Sequence, residues 1–563
     1  MFRPAREPQT KRHVRSSFHI VGEGILADSA DGGPAEPLPP STVAALRRFQ
    51  FSRLGPKART PHLLDRAART ELAEAMTDPD RDQPDQADVP AGFTYLGQFV
   101  DHDLTLDATA VRLEDEITVR ELLQGRSPAL DLDSLYGLGP DHRFDRRYYE
   151  DDGLRLKTGT TQGVPGDGSV AGRPLTGFDL PRVGTGSLRS ERRRALVPDP
   201  RNDENLAVAQ IHTAFIRFHN RVVADLVDKG VSSAVLFESA RETVVKHYQW
   251  MLVHDFLPRI VDPAVVADVF TNGRRVFERA PGEHDRPTMP IEFSVAAYRL
   301  GHSMVRARYN WNRIFDRGQG TLELLFRFSG TSGILSPPPA DLNDPEAGEF
   351  ERLPTNWIAD FRRLFAFEEA VPDRAELRVA PDRFNVAKRI DTLLVNPLAK
   401  LPLGAFGGRG EQPPPIELNL AFRNLTRASM LRLATGQQMV EHFVGRKVDV
   451  EPLTAADLAE GGGAQLSDAL AEQLARHCPL WFYVLREAEV KGAGKLTGVG
   501  GRIVAEVFHR AIEGSRHSIV RDPFWRPFLS PVQERNAKDV FEMTDLLLYA
   551  FQGRADLLNP LGP

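Results

Sequence analysis

Apolar residues recur at helical intervals along most of this chain. Leu206, Ala209, Ala214, Phe215, Phe218, Val222 and Leu226 keep a period near 3.6 residues, which predicts a long helix. Asp199, Asn202 and Asp203, just before it, are N-cap candidates. Residues 294–309, SVAAYRLGHSMVRARY, put Val295, Tyr298, His302 and Val305 on one stripe and read as a second helix. Near the C-terminus, PLWFYVLREAE, GVGGRIVAEVF and FEMTDLLLYAF have the alternation of amphipathic helices. In residues 92–107, GFTYLGQFVDHDLTLD, helical geometry brings Gln98, Asp101 and His102 to one face at i, i+3 and i+4, with Asp103 pointing elsewhere. The intervening stretches carry loop composition: acidic and Pro-punctuated over 78–91, Gly- and Thr-rich over 153–192 with FDLPR at 178–182, and Pro-rich over 335–415. The expected fold is therefore mainly α with few short strands. It forms one large domain over 61–555, after an irregular Arg-, Pro- and Gly-rich arm at 1–60 and before a short tail at 556–563. Residues 335–415 are expected as an insertion or peripheral lobe.

Composition narrows this little. The 563 residues are 41% hydrophobic, and 71 Lys and Arg against 77 Asp and Glu leave a formal charge of -6. That balance provides no basic field for nucleic acid. A single cysteine, Cys478, precludes an internal disulfide. No window approaches the roughly 18 uninterrupted apolar residues of a membrane-spanning helix. The basic N-terminus lacks the apolar run of a secretory signal. The default expectation is a soluble, cytoplasmic protein.

The candidate chemistry lies on the helices. A carboxylate, an imidazole and an amide on one half-buried face are costly without partners. Arg201 and Glu204 open the long helix, where charged side chains project into clefts. In RSPALDLDSLYG, residues 126–137, Asp131 and Asp133 alternate with Ser127 upstream. That pattern suits either a hard cation, which takes six to eight oxygens, or an ordinary Asx turn. Gly301 beside His302 leaves room for something flat to approach.

Taken in order, these motifs resemble the animal-type haem peroxidases of the peroxidase–cyclooxygenase superfamily, and the chain is similar to bacterial members of it. The matches are Gly-Gln98-Phe-x-Asp101-His102-Asp103, the loop LDLDSLYG, Arg201-Asn-Asp-Glu204-Asn205 with His219-Asn220-Arg221, Tyr298-Arg299-x-Gly-His302, and Asn424-Leu-Thr-Arg427. The resemblance implies haem b and a calcium ion. Gln98 and His102 would face the distal side of the haem with Arg201, His102 as the acid–base group and Arg201 as a fixed charge. His302 would bind iron, with Asn424 accepting its second N–H. Asp101 and Glu204 would be candidates for ester links to haem methyls. Arg299 would meet a propionate, and Arg427 the haem edge. Calcium would take Asp103, Ser127, the backbone carbonyl of Ala129, Asp131 and Asp133.

The implied activity is reduction of hydrogen peroxide through a ferryl intermediate, with oxidation of a small substrate such as a halide, thiocyanate or phenol. An alternative is a fatty-acid dioxygenase of the same superfamily. Those enzymes carry a radical tyrosine three positions before the proximal histidine; here that position is Arg299, with Tyr298 one place off. A further alternative is a non-enzymatic haem-containing scaffold or adhesion protein, against which intact His102, Arg201 and His302 argue.

Overall fold

The long helix expected from Leu206 runs Leu206–Asp228 and is buried over most of its length. Its cap is Asn205, whose side chain accepts from the Val208 N–H at 3.0 Å. Of the other cap candidates, Asp199 caps the short 3-10 turn Pro200–Asp203 by accepting from the Arg201 N–H. Asn202 and Asp203 cap nothing and are used elsewhere. Against Leu206–Asp228 pack the helices Gly92–Leu104, Ser233–Met251 and Met543–Ala550. Leu96, Phe99, Val100 and Leu104 of Gly92–Leu104 are fully buried. Phe99 stacks on Phe215 with ring centroids 4.6 Å apart, a pairing worth about 0.5–1.5 kcal/mol beyond the area it buries. This computed structural model describes residues 19–20, 24–25, 50–109, 111, 113–282, 285–342, 344–402, 413–463 and 465–563. Most of the expected N-terminal arm lies outside them.

The three C-terminal amphipathic patterns form the helices Leu480–Val490, Gly498–Gly514 and Met543–Ala550. Leu420–Met430, which carries Asn424 and Arg427, packs on Arg66–Met76. Strands among the described residues occur only as two-stranded pairs, so the architecture is mainly helical, as the periodicity predicts.

Two local expectations are corrected. Residues 294–309 are not one helix. The chain runs through Ile291–Ser294, a 3-10 turn Ala297–Leu300 and the short helix Gly301–Met304, and then extends into the strand Arg308–Tyr309. Ala296 leaves helical geometry, and the Arg299 guanidinium donates to the Ser294 carbonyl at 2.7 Å, satisfying an acceptor freed at the break. The acidic stretch 78–91 also contains a strand, Asp85–Pro90, which pairs antiparallel with Val386–Lys388. A partner three hundred residues away leaves no local signal; Lys388 and Arg306 both pair with Asp85. Residues 335–402 contribute much of their apolar content to the common core, including Trp357, Phe361, Phe365 and Leu398. The Leu364 carbonyl receives the Gly92 N–H at 2.9 Å, at the start of the helix carrying His102.

Buried carboxylates pin several joints by accepting backbone N–H groups. Glu292 takes those of Leu54 and Gly55. Glu487 takes those of Val499 and Gly500 at the start of Gly498–Gly514. Burial outweighs those two bonds and pushes the Glu487 carboxyl from 4.5 up to about 8. The folded state thus holds this proton more tightly than the unfolded chain. The associated stability is complete below about pH 4.5 and is lost as pH rises towards 8. Glu487→Gln, which cannot ionise, is expected to flatten that decline, read as Tm against pH for both proteins.

Candidate active site

Gln98 and Asp101 from one helix, Asn205 from the next, and Tyr298, Arg299, Gly301 and His302 from the broken segment line a common cavity of about 730 Å³. The remaining wall is mostly apolar, with Phe93, Phe256, Leu300, Met304, Leu322, Phe326, Leu398 and Leu420 beside Thr94 and Tyr95. Phe256 reaches it from a π-helical turn, Leu252–Phe256, that ends Ser233–Met251; such turns recur at functional sites. A Cβ added to Gly301 would meet nothing within 4 Å, so the cavity is open beside His302. Arg299 also borders a second cavity of about 470 Å³, together with Arg201, Arg427, Asp107, Thr105, Ser294 and Asn424. One space is apolar with an imidazole in its wall; the other carries three guanidinium groups.

His302 Nδ1 lies 2.9 Å from the Asn424 carboxamide, with Nδ2 the nearer atom. A half-turn of that amide offers Oδ1 to an Nδ1–H, the arrangement in which Nε2 is free to bind a metal. Burial, helped by Arg299, pulls the His302 pKa down to about 3, so the ring is neutral at physiological pH.

On the helix that supplies Gln98 and the turn before Leu206–Asp228, His102 and Asn202 are fully buried, and His102 Nδ1 stands 2.8 Å from Asn202 Oδ1. His102 Nε2 makes no hydrogen bond and lies 3.5 Å from Glu204 Oε1. Glu204 accepts from the Gln98 amide through Oε1, while its Oε2 is buried without a partner. Asn205 Nδ2 donates to Gln98 Oε1 at 2.9 Å. His102 does not border the cavity itself; Glu204 and Gln98 connect it to the wall.

Arg201 is held by Asp199, by the carbonyl of His102 at 3.2 Å and by that of Thr105 at 2.6 Å. Burial opposes its charge, but Asp199 outweighs burial and raises the pKa, so the cation is fixed. Asp101 accepts from Thr105 and, at 3.4 Å, from Arg299. Arg427 pairs with Asp107. Thus Asp101 and the two candidate haem-contacting arginines lie at the cavities, Glu204 stands behind Gln98 of the wall, and each arginine is matched to an aspartate.

Asp103 faces away from this site, as its helical position predicts. It accepts from the backbone of Leu132 at 3.1 Å and Ser134 at 3.4 Å, joining the helix to the loop of Asp131 and Asp133. Burial first, and then Asp133 and Asp131, push its carboxyl well above the usual range. Asp131 is raised to about 6 by burial and by Asp133. Ser127 donates to Asp133, Asp131 accepts from the Arg516 N–H, and Ala129 is buried alongside. The donor chemistry suits a hard cation, since crowded carboxylates oppose one another's charge. Among the described residues, though, no three acidic, imidazole or thiol groups converge as a ligand set; the loop carboxylates are turned to N–H and hydroxyl donors.

Residues 107–329 match the family model described as animal haem peroxidase. Over these residues the chain is similar to the animal haem peroxidases. The match includes Arg201, Glu204 and His302 and stops short of the His102 and Asn424 helices. A peroxidase-like protein of Margaritifera margaritifera is 27% identical over 255 residues, 38% of this chain and 31% of that protein. Mouse (Mus musculus) thyroid peroxidase is 28% identical over 190 residues, 33% of this chain and 20% of that protein. The chain thus spans less than a third of either relative. In fold it is similar to peroxidase A of Dictyostelium discoideum, with TM-score 0.53 and 13% identity over 88% of this chain and 95% of that one. It is likewise similar to a fatty acid alpha-dioxygenase of Arabidopsis thaliana, with TM-score 0.52 and 13% identity over 90% and 78%.

Sequence reasoning passed over two participants. Asn202 looked like a capping residue, although it lies inside the Arg201–Glu204 motif. Asp107, the partner of Arg427, closes the stretch 92–107. Their positions within recognised motifs were the available signals.

Proposed function

We propose that this chain is a haem-dependent peroxidase that reduces hydrogen peroxide and oxidises a small substrate. The observation that carries this reading is that one largely apolar cavity is lined both by His302, braced by Asn424, and by Gln98, behind which stand Glu204 and then His102. The residues fit haem b. The cavity is apolar and open at Gly301, an imidazole borders it, and the arginine-lined space adjoining it suits two carboxylates. His302 would hold the iron, Arg299 and Arg427 the propionate end, and Asp101 and Glu204 would be the carboxylates open to ester bonding. When bound, haem supplies the two-electron reduction of peroxide.

The chain's own part is to place a base and a charge. His102 takes a proton at Nε2 from bound peroxide and returns it to the leaving oxygen, the work of a general acid–base group. Gln98 orients the bound molecule by its amide. Arg201, fixed by Asp199, supplies positive charge where negative charge develops. A calcium ion at Asp103 and the 127–133 loop would hold the helix of His102 rigid. Chelation with EGTA is therefore expected to lower Tm, with calcium restoring it and Asp131→Ala abolishing the response. An unchanged Tm would remove the calcium assignment.

A second reading is kept by Tyr298. Its hydroxyl is buried, unpartnered and in the wall shared with His302, in a fold shared with the Arabidopsis fatty acid alpha-dioxygenase. Haem-loaded protein is to be assayed in parallel for peroxide consumption with a phenolic donor and for oxygen uptake with a fatty acid. Peroxide consumption without lipid-stimulated oxygen uptake is expected. The reverse result would select the dioxygenase.

A further inference from the structure

We propose that Asn202 is a positioning residue for His102. Its carboxamide oxygen holds the imidazole proton on Nδ1 and leaves the Nε2 lone pair to exchange protons with substrate. This deepens the peroxidase reading and rests on it.

The geometry distinguishes the two ring nitrogens. Asn202 Oδ1 stands 2.8 Å from Nδ1, with both residues fully buried. With the proton on Nε2, two lone pairs would face each other at that distance unless the amide turned to donate from Nδ2, which makes no hydrogen bond as placed. The Nε2–H would meanwhile point at Glu204 Oε1 across 3.5 Å, too far for a good hydrogen bond. With the proton on Nδ1, the short contact is a hydrogen bond and the bare Nε2 faces the side of Glu204 and Gln98.

The turn bearing Asn202 is pinned on both flanks. The Asn202 N–H donates to the Asp199 carbonyl at 3.1 Å, and the Asp199 side chain clamps Arg201. On the other flank, Asp203 is bound by Arg182 and by the Gly330 N–H at 3.0 Å. Arg182 is itself shared with Asp179 at 2.7 Å. A side chain held this way presents its oxygen in one place, which is what an outer partner must do to fix a ring's tautomer.

An amide also differs from a carboxylate, because it orients the ring without adding charge. The charged and titratable groups already facing His102 are Glu204, Asp199, Arg201 and His212, with Asp101 and Asp103 on its own helix. A further negative charge at position 202 would favour the imidazolium, which cannot accept a proton.

The test combines a tautomer measurement with a pH profile. Haem-free protein labelled with 15N-histidine gives the protonation of each His102 nitrogen, the resonance being assigned by its loss in His102→Gln. Wild type is expected to carry the proton on Nδ1, and Asn202→Leu to show a mixture of tautomers. With haem loaded, Asn202→Leu should keep the wild-type Soret band while its reaction with peroxide slows by about 10–100-fold, the range for loss of an outer partner. Asn202→Asp should move the acid limb of that reaction to higher pH. A wild-type His102 protonated on Nε2 overturns the proposal, and this result needs no Asn202 variant to fold. Wild-type rates and pH profiles in both Asn202 variants overturn it as well. If His102→Gln reacts at the wild-type rate, the peroxidase reading itself fails; if it is slow while both Asn202 variants are unaffected, only the role of Asn202 does.

Discussion

Replacing His302 with alanine is expected to abolish stable haem uptake, the largest single effect at this site. Among the described residues His302 is the one imidazole in the cavity wall, and apart from the unpartnered Tyr298 hydroxyl its other neighbours there are apolar, amide or already paired. Without it, haem would be held by burial and by the arginines of the adjoining space. Losing an outer partner of a metal ligand typically costs ~10–100-fold in affinity or activity, so Asn424→Ala should fall in that range and His302→Ala beyond it. Titration with haemin, followed in the Soret region, measures both. His302→Ala with an unchanged Soret band and full turnover would show that iron is bound elsewhere. His302 also bears on haem loading and pH: with its pKa drawn down to about 3, the ring stays unprotonated through the mildly acidic range, and haem uptake should be insensitive to pH there.

The second large effect is expected at His102. His102→Ala should leave haem bound by His302 and slow the reaction with peroxide by ~10²–10⁴-fold, the usual worth of a general acid–base group. Wild type should lose rate as pH falls and the imidazole becomes protonated; the alanine variant should lose that limb. Arg201 is a less clean probe. Its guanidinium anchors Asp199 and two backbone carbonyls, so Arg201→Ala leaves a buried carboxylate with Arg126 as its remaining partner. Breaking a buried pair this way costs ~3–5 kcal/mol. Arg201→Ala should therefore lower Tm as well as rate, whereas His102→Ala should affect mainly rate. Where both act on one bond-breaking step, the double variant should lose less than the product of the single losses. Stopped-flow mixing with peroxide across pH, with Tm recorded for each protein, separates these outcomes.

Much of the site was legible because its residues sit on strongly periodic helices. Gln98, Asp101 and His102 share a turn, and the Leu206 helix announces its own start, so their grouping follows from spacing. The long-range links were not legible. Nothing local says that His102 meets Asn202, that Arg427 meets Asp107, or that Val386–Lys388 pairs with Asp85–Pro90, since each joins segments about a hundred or more residues apart. The broken helix around His302 was misread because Val295, Tyr298 and His302 keep an apolar stripe across a break that Arg299 mends with its side chain. Leu398, in the Pro-rich stretch expected as an insertion or peripheral lobe, lines the cavity, a contact of which proline content gives no sign because it reports local irregularity.

The central claim is that His302 and His102 serve opposite sides of one haem site whose reaction is with peroxide. Its most direct test is the rate of peroxide consumption by haem-loaded wild type, His102→Ala and His302→Ala, each normalised to bound haem. Turnover well above that of free haemin in wild type is expected, with a deep loss but retained haem in His102→Ala, and no stable haem in His302→Ala. Wild-type turnover no faster than free haemin, or unchanged by loss of His102, would contradict it.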